Sequence, residues 1–321
     1  MDSVTLDDLD RQLLHALQLD GRAPFSRIAS VLGVADRTLA RRYARLREVG
    51  AVRVLGVATT GWTGDAHWFV RLRCLPDRAM AIARALARRS DTSWVTLLSG
   101  GSEVVFLLRG PERLLLDQLG RWPGLASVEA QRMLRAFMDE ENCWRGRISA
   151  LTPDQVARLR PDYPARPSEL PYSALDGRLL SALAHDGRAA FPALARSVGW
   201  SESVVRRRLA ELRRARALQF SIETDVRLFG YGVECMLWLQ VAPGRLTEVG
   251  RTLSGDVEVA FVAAVTGSAN LMAFVVCRDA DVLYEYLADR VGAMAGLQSM
   301  EALPISGYSK RIGPPTAGPA V

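Results

Sequence analysis

Asp20-Gly21-Arg22-Ala23-Pro24-Phe25 returns 166 residues downstream as Asp186-Gly187-Arg188-Ala189-Ala190-Phe191. Extended outward, residues 6–51 align with 172–217 without a gap and share 19 identities over 46 positions. Ala29 and Gly33 recur as Ala195 and Gly199, and Arg41-Arg42 as Arg207-Arg208. Identity at this density marks a duplication, so the chain is read as one unit written twice.

Within the first copy, Leu6, Leu9, Leu13 and Leu17 recur at helical spacing and form one apolar stripe. Asp20-Gly21-Arg22 ends that helix, and Gly21 suits the left-handed residue of a C-terminal cap. A short second helix carries Ser26, Ile28, Ala29 and Leu32, with Ser26 as a candidate cap. Gly33 then makes the turn into a third helix over 36–48. There Leu39, Tyr43 and Leu46 face inward, while Arg37, Arg41, Arg45 and Glu48 point away and Arg42 lies at the edge. The second copy repeats the scheme, with Val205, Leu209 and Leu212 inward and Ser203, Arg207, Glu211 and Arg214 outward. A helix that reads the major groove needs this division between a docking face and a cationic face. The candidate DNA-binding residues are therefore Arg37, Thr38, Arg41, Arg42 and Arg45 in copy one. In copy two they are Ser203, Arg206, Arg207, Arg208 and Arg214. An ordinary solvated helix face is the competing explanation, and Glu211 opposes phosphate in copy two.

After each helix set the period changes to two. Ala66, Trp68, Val70, Leu72 and Cys74 alternate with His67, Phe69, Arg71 and Arg73, as in a half-buried strand. A helix over 77–89, strands over 92–99 and 102–109, a helix over 111–121 and a strand over 126–137 complete a βαββαβ order. Copy two gives strands near 233–241, 257–266, 270–277 and 297–306, with helices near 244–253 and 279–291. That order is the ferredoxin-like split βαβ arrangement, an antiparallel sheet with helices on one face. By alternation Phe69, Met236 and Trp238 fall on the opposite face, which either meets a partner sheet or is plain surface hydrophobicity.

The fold class read from these patterns is α+β: two winged-helix/helix-turn-helix domains (1–55 and 172–220) and two ferredoxin-like βαββαβ domains (64–138 and 230–312) in tandem. Residues 139–171 form a linker whose second half, with Pro161, Pro164, Pro167 and Pro171, is expected to be extended and stiff. Thr152-Pro153 starts a short helix within it. The tail over 313–321, rich in Pro, Gly and Ala, is expected to be disordered.

The formal net charge is +6 and Lys310 is the single lysine, so arginine position carries more information than arginine number. A mildly basic chain permits a polyanionic partner. Cys74, Cys143, Cys235 and Cys277 form no CxxC pair and suit buried thiols in a reducing compartment. The N-terminus lacks a signal core and no apolar run reaches membrane-spanning length. A cytoplasmic, nucleoid-associated protein is expected.

The string Leu-Asp…Leu-Leu…Leu…Asp-Gly-Arg…Ala…Gly…Arg-Arg…Leu, joined to a βαββαβ domain, resembles the Lrp/AsnC (leucine-responsive, feast/famine) family of transcription factors. The resemblance covers nearly the whole chain, twice, so the chain looks like a fused tandem of a unit that family members carry once. It implies double-stranded DNA as partner, assembly through the α/β domains into a homodimer or higher homo-oligomer, and binding of amino acids or similar small effectors. A family Gly-x-x-Asp turn helps to form the effector site. The matching stretches here, Gly100 to Glu103 and Gly267 to Asn270, both depart from it. Glu103 keeps a carboxylate that could bind an ammonium group; Asn270 keeps only hydrogen bonding. Both stretches are equally readable as tight hairpin turns. The third helix also departs from the family's Ser cap in copy one, where Asp36 stands ready for that role, whereas copy two has Ser201.

No P-loop, dinucleotide GxGxxG, HExxH or GxSxG motif occurs. His15, His67 and His185 are the only histidines, with His15 and His185 placed on first-helix surfaces. No catalytic residue, metal site or cofactor is expected. The leading expectation is a sequence-specific transcriptional regulator, not an enzyme, that responds to an amino-acid-like effector. A sirohaem-decarboxylase-like enzyme on the same fold, or an effector-binding assembly protein without DNA binding, are the alternatives.

Overall fold

The computed structural model describes residues 5–59, 66–75, 77–110, 122, 124–137, 150–162 and 170–313. The expected helix over 111–121, Cys143, most of the Pro-rich half of the linker and nearly all of the tail lie outside the described residues. The chain divides into two compact units, residues 1–64 with 148–228, and residues 65–147 with 229–321. Each unit takes one part from each copy.

The first unit holds both helix-turn-helix copies. Copy one is α1 (Asp8–Leu19), α2 (Phe25–Leu32) and α3 (Asp36–Glu48), followed by β1 (Val52–Ala58). After α5 (Pro153–Leu159), copy two is α6 (Ala174–His185), α7 (Phe191–Val198), α8 (Glu202–Arg214) and β6 (Leu218–Thr224). The predicted inward residues are buried: Leu13, Leu17, Ile28, Leu39, Tyr43 and Leu46, and Val205, Leu209 and Leu212. Gly33 (φ +70°) and Gly199 (φ +74°) close α2 and α7 in the left-handed region, which glycine enters without a Cβ clash.

The strands that follow the helices are the element that sequence reading missed. β1 and β6 pair antiparallel, Val52 opposite Thr224 and Ala58 opposite Leu218, so each copy completes the other. This explains the repeated Asp-Gly-Arg-Ala stretch. Arg22 donates to the carbonyls of Gly187 (2.6 Å) and Ala189 (2.8 Å). Arg188 donates to those of Gly21 (2.7 Å) and Ala23 (3.0 Å). The guanidinium of Arg22 lies 4.8 Å from the Phe191 ring centre and that of Arg188 lies 4.3 Å from Phe25. Asp20 accepts from Arg213 and Asp186 from Arg47, one contact the image of the other. Burial, with Arg188 and Arg213 nearby, pulls Arg22 down to about 10. The carbonyls and rings offset that cost.

Gly21 is not the left-handed cap residue expected from the sequence. A Cβ there would meet Val54 Cγ1 at 2.9 Å and the Phe220 carbonyl at 3.2 Å, so close packing against the paired strands requires the glycine. Gly187 is hemmed in by the backbone of Val54 and Leu55 at 2.9–3.0 Å and donates its N–H to the Val54 carbonyl. Ser26 is not a cap either: Pro24 precedes α2 and no side chain caps it.

In the second unit, copy one supplies β2 (His67–Cys74), α4 (Ala79–Ala87), β3 (Thr92–Leu98), β4 (Glu103–Arg109) and β5 (Leu125–Ala136). Copy two supplies β7 (Val233–Val241), α9 (Leu246–Ser254), β8 (Val259–Val265), β9 (Leu271–Cys277), α10 (Ala280–Glu285) and β10 (Leu297–Lys310). The helix begun at α10 continues to Val291 with wider π-type turns. Strands β5 and β10 cross over to pair with β8 and β3, closing the order β10-β3-β4-β2-β5-β8-β9-β7 into a barrel.

Each four-stranded sheet has its own core, with Val70, Leu72 and Phe106 beneath Ile82 and Leu86 of α4 in one and Leu237, Leu239, Leu253, Val262 and Val275 in the other. A third core lies between the sheets and contains Phe69, Leu98, Val105, Met236, Trp238 and Met272. The apolar face that alternation exposed thus meets a partner sheet, and that partner is the other copy in the same chain. The sheet contact expected between chains is made within one.

Replacing Arg22 removes two charge-assisted hydrogen bonds to carbonyls of the other copy, each worth about 1.5–3 kcal/mol. Arg22→Ala is expected to lower the stability of the first unit by about 3 kcal/mol or more in chemical denaturation, and Arg188→Ala by a similar amount. A loss below about 0.5 kcal/mol would mean that the reciprocal arginines do not hold the copies together.

Candidate nucleic-acid interface and effector turns

The arginines of α3 and α8 divide into two sets. One set docks the helix. Arg42 donates to Asp7 (2.6 Å) and to the buried Asp10 (2.9 Å), two carboxylates at the start of α1, and Arg45 also reaches Asp10. In copy two Arg208 donates to Asp176 (2.8 Å), to the carbonyl of Pro171 (2.8 Å) and to Glu211 (3.0 Å). Asp7 and Ser173 cap their helices by capping boxes with Asp10 and Asp176, so each carboxylate serves a cap and an arginine together. Burial alone would raise the Asp176 carboxyl, but hydrogen bonds from Arg208 and Ser173 outweigh it and hold the group below the usual aspartate range.

The other set faces solvent. Arg37 and Arg41 are exposed, and among the described residues no carboxylate holds either. Thr38 is half-buried beside them. In copy two Ser203, Arg207 and Arg214 are exposed. Arg207 lies 3.8 Å from the Glu211 carboxylate. Arg206 is held by Glu202 (2.5 Å) and stacks 4.0 Å from the Phe191 ring centre. Of the ten residues singled out in the sequence, Arg42 and Arg208 thus have a structural duty, Arg45 and Arg206 share one, and Arg37, Arg41, Arg207 and Arg214 remain the solvent-facing cations. Asp36 does not cap α3. Ala35 occupies the cap position, and the Asp36 carboxylate accepts from the N–H of Arg37. Ser201 does cap α8, accepting from Val204.

The effector turns are both engaged by the chain itself. Glu103 receives Arg71 through Nε at 2.5 Å and Nη2 at 3.1 Å. Arg71 reaches Glu301 as well, by two bonds of 2.7 Å, and lies 5.0 Å from the Trp238 ring centre. Arg71 is only 6% exposed. The Glu301 carboxyl is held down by Arg71. At the matching turn, Asn270 binds the Val241 backbone from both sides, donating to its carbonyl (2.7 Å) and accepting from its N–H (2.9 Å). Gly267 (φ +110°) has Gln131 Nε2 at 2.9 Å from where a Cβ would stand, whereas Gly100 (φ +71°) is open on that side. Gly100 donates its N–H to Ser306. Arg71 and Trp238 were not singled out as site residues in the sequence.

His15 is not a surface residue. It is half-buried and accepts the N–H of Leu151, the segment that leads into α5, and burial lowers its pKa. His185 bonds to the carbonyl of Ser181 in its own helix. Among the described residues, no group of three His, Cys, Asp or Glu side chains could hold a metal ion, and no helix is long and apolar enough to cross a membrane. Cys74, Cys235 and Cys277 are buried free thiols, and burial pushes Cys235 up to about 11.

Comparison with known proteins identifies the domains. Residues 6–47 and 173–213 match the AsnC-type helix-turn-helix domain, and residues 234–310 the Lrp/AsnC ligand binding domain. HTH-type transcriptional regulator FL11 of Pyrococcus abyssi is 27% identical over 144 residues, which is 42% of this chain and 94% of FL11. The siroheme decarboxylase NirDL subunit of Paracoccus denitrificans is 28% identical over 261 residues, 78% of each chain. A crystal structure of siroheme decarboxylase NirDL superposes with a TM-score of 0.62 at 17% identity, covering 97% of this chain and 95% of that one, a likeness of fold.

The Asp176 carboxyl is depressed in the folded state, so it adds stability above its ordinary value near 3.8 and loses it as pH falls through the folded value. The first unit is therefore expected to weaken as pH falls below about 5, and Asp176→Asn to shrink that loss while lowering stability at neutral pH. An identical acid loss in both proteins would show that the Arg208–Asp176 pair is not coupled to folding.

Proposed function

Because the chain belongs to the Lrp/AsnC family as a fused tandem of two units, we propose that it is a sequence-specific DNA-binding regulator of transcription and not an enzyme. One observation carries this reading. Arg42 and Arg208 dock their helices, while Arg37 and Arg41 stand exposed on the same helix as Arg42, and among the described residues neither has a carboxylate salt-bridge partner. A recognition helix requires this division: one face fixed to its own domain, the other cationic and open to phosphate and base edges. The protein acts on double-stranded DNA in the cytoplasm, on the nucleoid.

A small amino-acid-like effector is the natural ligand of the α/β copies. At copy one its ammonium group would compete with Arg71 for Glu103, and at copy two it would have to release Asn270 from Val241. Such a ligand acts only by favouring one arrangement of the chain over another. A homo-oligomer of this chain uses surfaces other than the apolar sheet faces already joined within it.

The likeness to NirDL over 78% of both chains favours one rival, a siroheme decarboxylase on the same tandem fold. Purified protein separates the two. The regulator is expected to be colourless and to shift duplex DNA from its own promoter region. Arg41→Ala is expected to weaken specific binding by about 1–3 kcal/mol without lowering the melting temperature, whereas Arg42→Ala lowers the melting temperature. A tetrapyrrole absorption band, or unchanged affinity of Arg41→Ala across a salt titration, would overturn the proposal.

A further inference from the structure

The two helix-turn-helix copies are built into one unit by pseudo-symmetric contacts: β1 against β6, Arg22 against copy two and Arg188 against copy one. A pair of this kind presents two recognition helices in fixed register. When such a pair is a true dimer, its two-fold symmetry is mirrored by a palindromic site. Here the frame is symmetric and the reading surfaces are not. At matching positions Arg37 is replaced by Ser203, Thr38 by Val204 and Arg45 by Glu211. Arg41 has an equivalent in Arg207, but Arg207 has the Glu211 carboxylate 3.8 Å away and Arg41 has no carboxylate partner among the described residues. The extra arginine of α8, Arg206, is turned onto Phe191 and Glu202.

We propose that a single chain reads a DNA site without dyad symmetry. The half-site under α3 is guanine-rich and contributes most of the affinity. The half-site under α8 is weaker and reads thymine methyl groups. Arginine contacts guanine O6 and N7 bidentately, so Arg37 and Arg41 select guanine. Ser203 and Val204 offer a short hydroxyl and an apolar surface, which suits either base edge or the thymine methyl. Glu211 lowers the positive potential locally beside Arg207, at the centre of the reading face, while Arg214 stands at the far end of α8 where copy one has Glu48. The duplication thereby releases the chain from the constraint of an inverted repeat, since each half of the site answers to its own helix. This inference rests on the regulator reading and adds to it the form of the target.

Selection of duplexes from a random library with the full-length chain tests it. The expected consensus has two unequal half-sites in one footprint and no inverted repeat. Arg41→Ala is expected to weaken binding about tenfold or more and to erase the guanine preference in one half. Arg207→Ala is expected to weaken it about threefold or less. Ser203→Arg, at an exposed position of α8, combined with Glu211→Arg, which leaves Arg208 its bonds to Asp176, is expected to shift the consensus toward an inverted repeat of the guanine-rich half. A palindromic consensus for the natural chain, or equal losses for Arg41→Ala and Arg207→Ala, would overturn the inference and leave the regulator reading intact. No enrichment at any salt concentration would remove the regulator reading itself.

Discussion

A four-stranded antiparallel sheet with helices on one face leaves its other face bare, and in this chain that face is apolar. Phe69, Val105, Met236, Trp238 and Met272 are buried only because the sheet of the other copy lies over them. Burial of such side chains contributes roughly 1.5–3 kcal/mol each, so a sheet with this face in water loses a large part of its stabilisation. The strands β5 and β10 then cross to the opposite sheet and remove the open edges that would invite further pairing. One unit needs a second to be complete, and duplication supplies it within the same chain.

The helix-turn-helix copies obey the same constraint through polar contacts. Their mutual surface is made of a two-stranded ladder and exchanged arginines, each satisfied by carbonyls of the other copy and laid over an aromatic ring. Contacts that appear twice in mirrored form, Arg47 with Asp186 and Arg213 with Asp20, keep the same residues in both copies. Residues outside this shared frame have been free to diverge. Arg45 became Glu211, Arg71 on β2 corresponds to Trp238 on β7, and Glu103 corresponds to Asn270. At the sheet interface the divergence is complementary, because Arg71 of one copy stacks on Trp238 of the other and ties Glu103 to Glu301.

The fold class was legible because its signals are local. Leucines at helical spacing gave the helices, and alternation gave the sheet strands. Strands β1 and β6 escaped because each is short and finds its partner 166 residues away, although Val52-Arg53-Val54 and Phe220-Ser221-Ile222 already alternate. Gly21 was assigned the wrong duty for a related reason. Sequence alone does not separate a glycine that turns the chain from one that lets another strand approach. The candidate interface was half legible. A helical wheel places Arg42 at the edge of the apolar stripe but cannot show that Asp10 is waiting for it; the recurrence of both residues as Arg208 and Asp176 was the available sign. Glu103 looked free because Arg71, its neighbour across the β2–β4 ladder, is distant in the chain.

All of this depends on the two copies pairing within one chain and not between two. The β1–β6 ladder gives the most direct test, since Arg53 lies opposite Glu223 across it and pairs with it at 3.1 Å. Arg53→Cys combined with Glu223→Cys, oxidised in dilute solution and run under denaturing, non-reducing conditions, should yield a cross-linked species of single-chain mass. A cross-linked product of twice that mass would contradict the account.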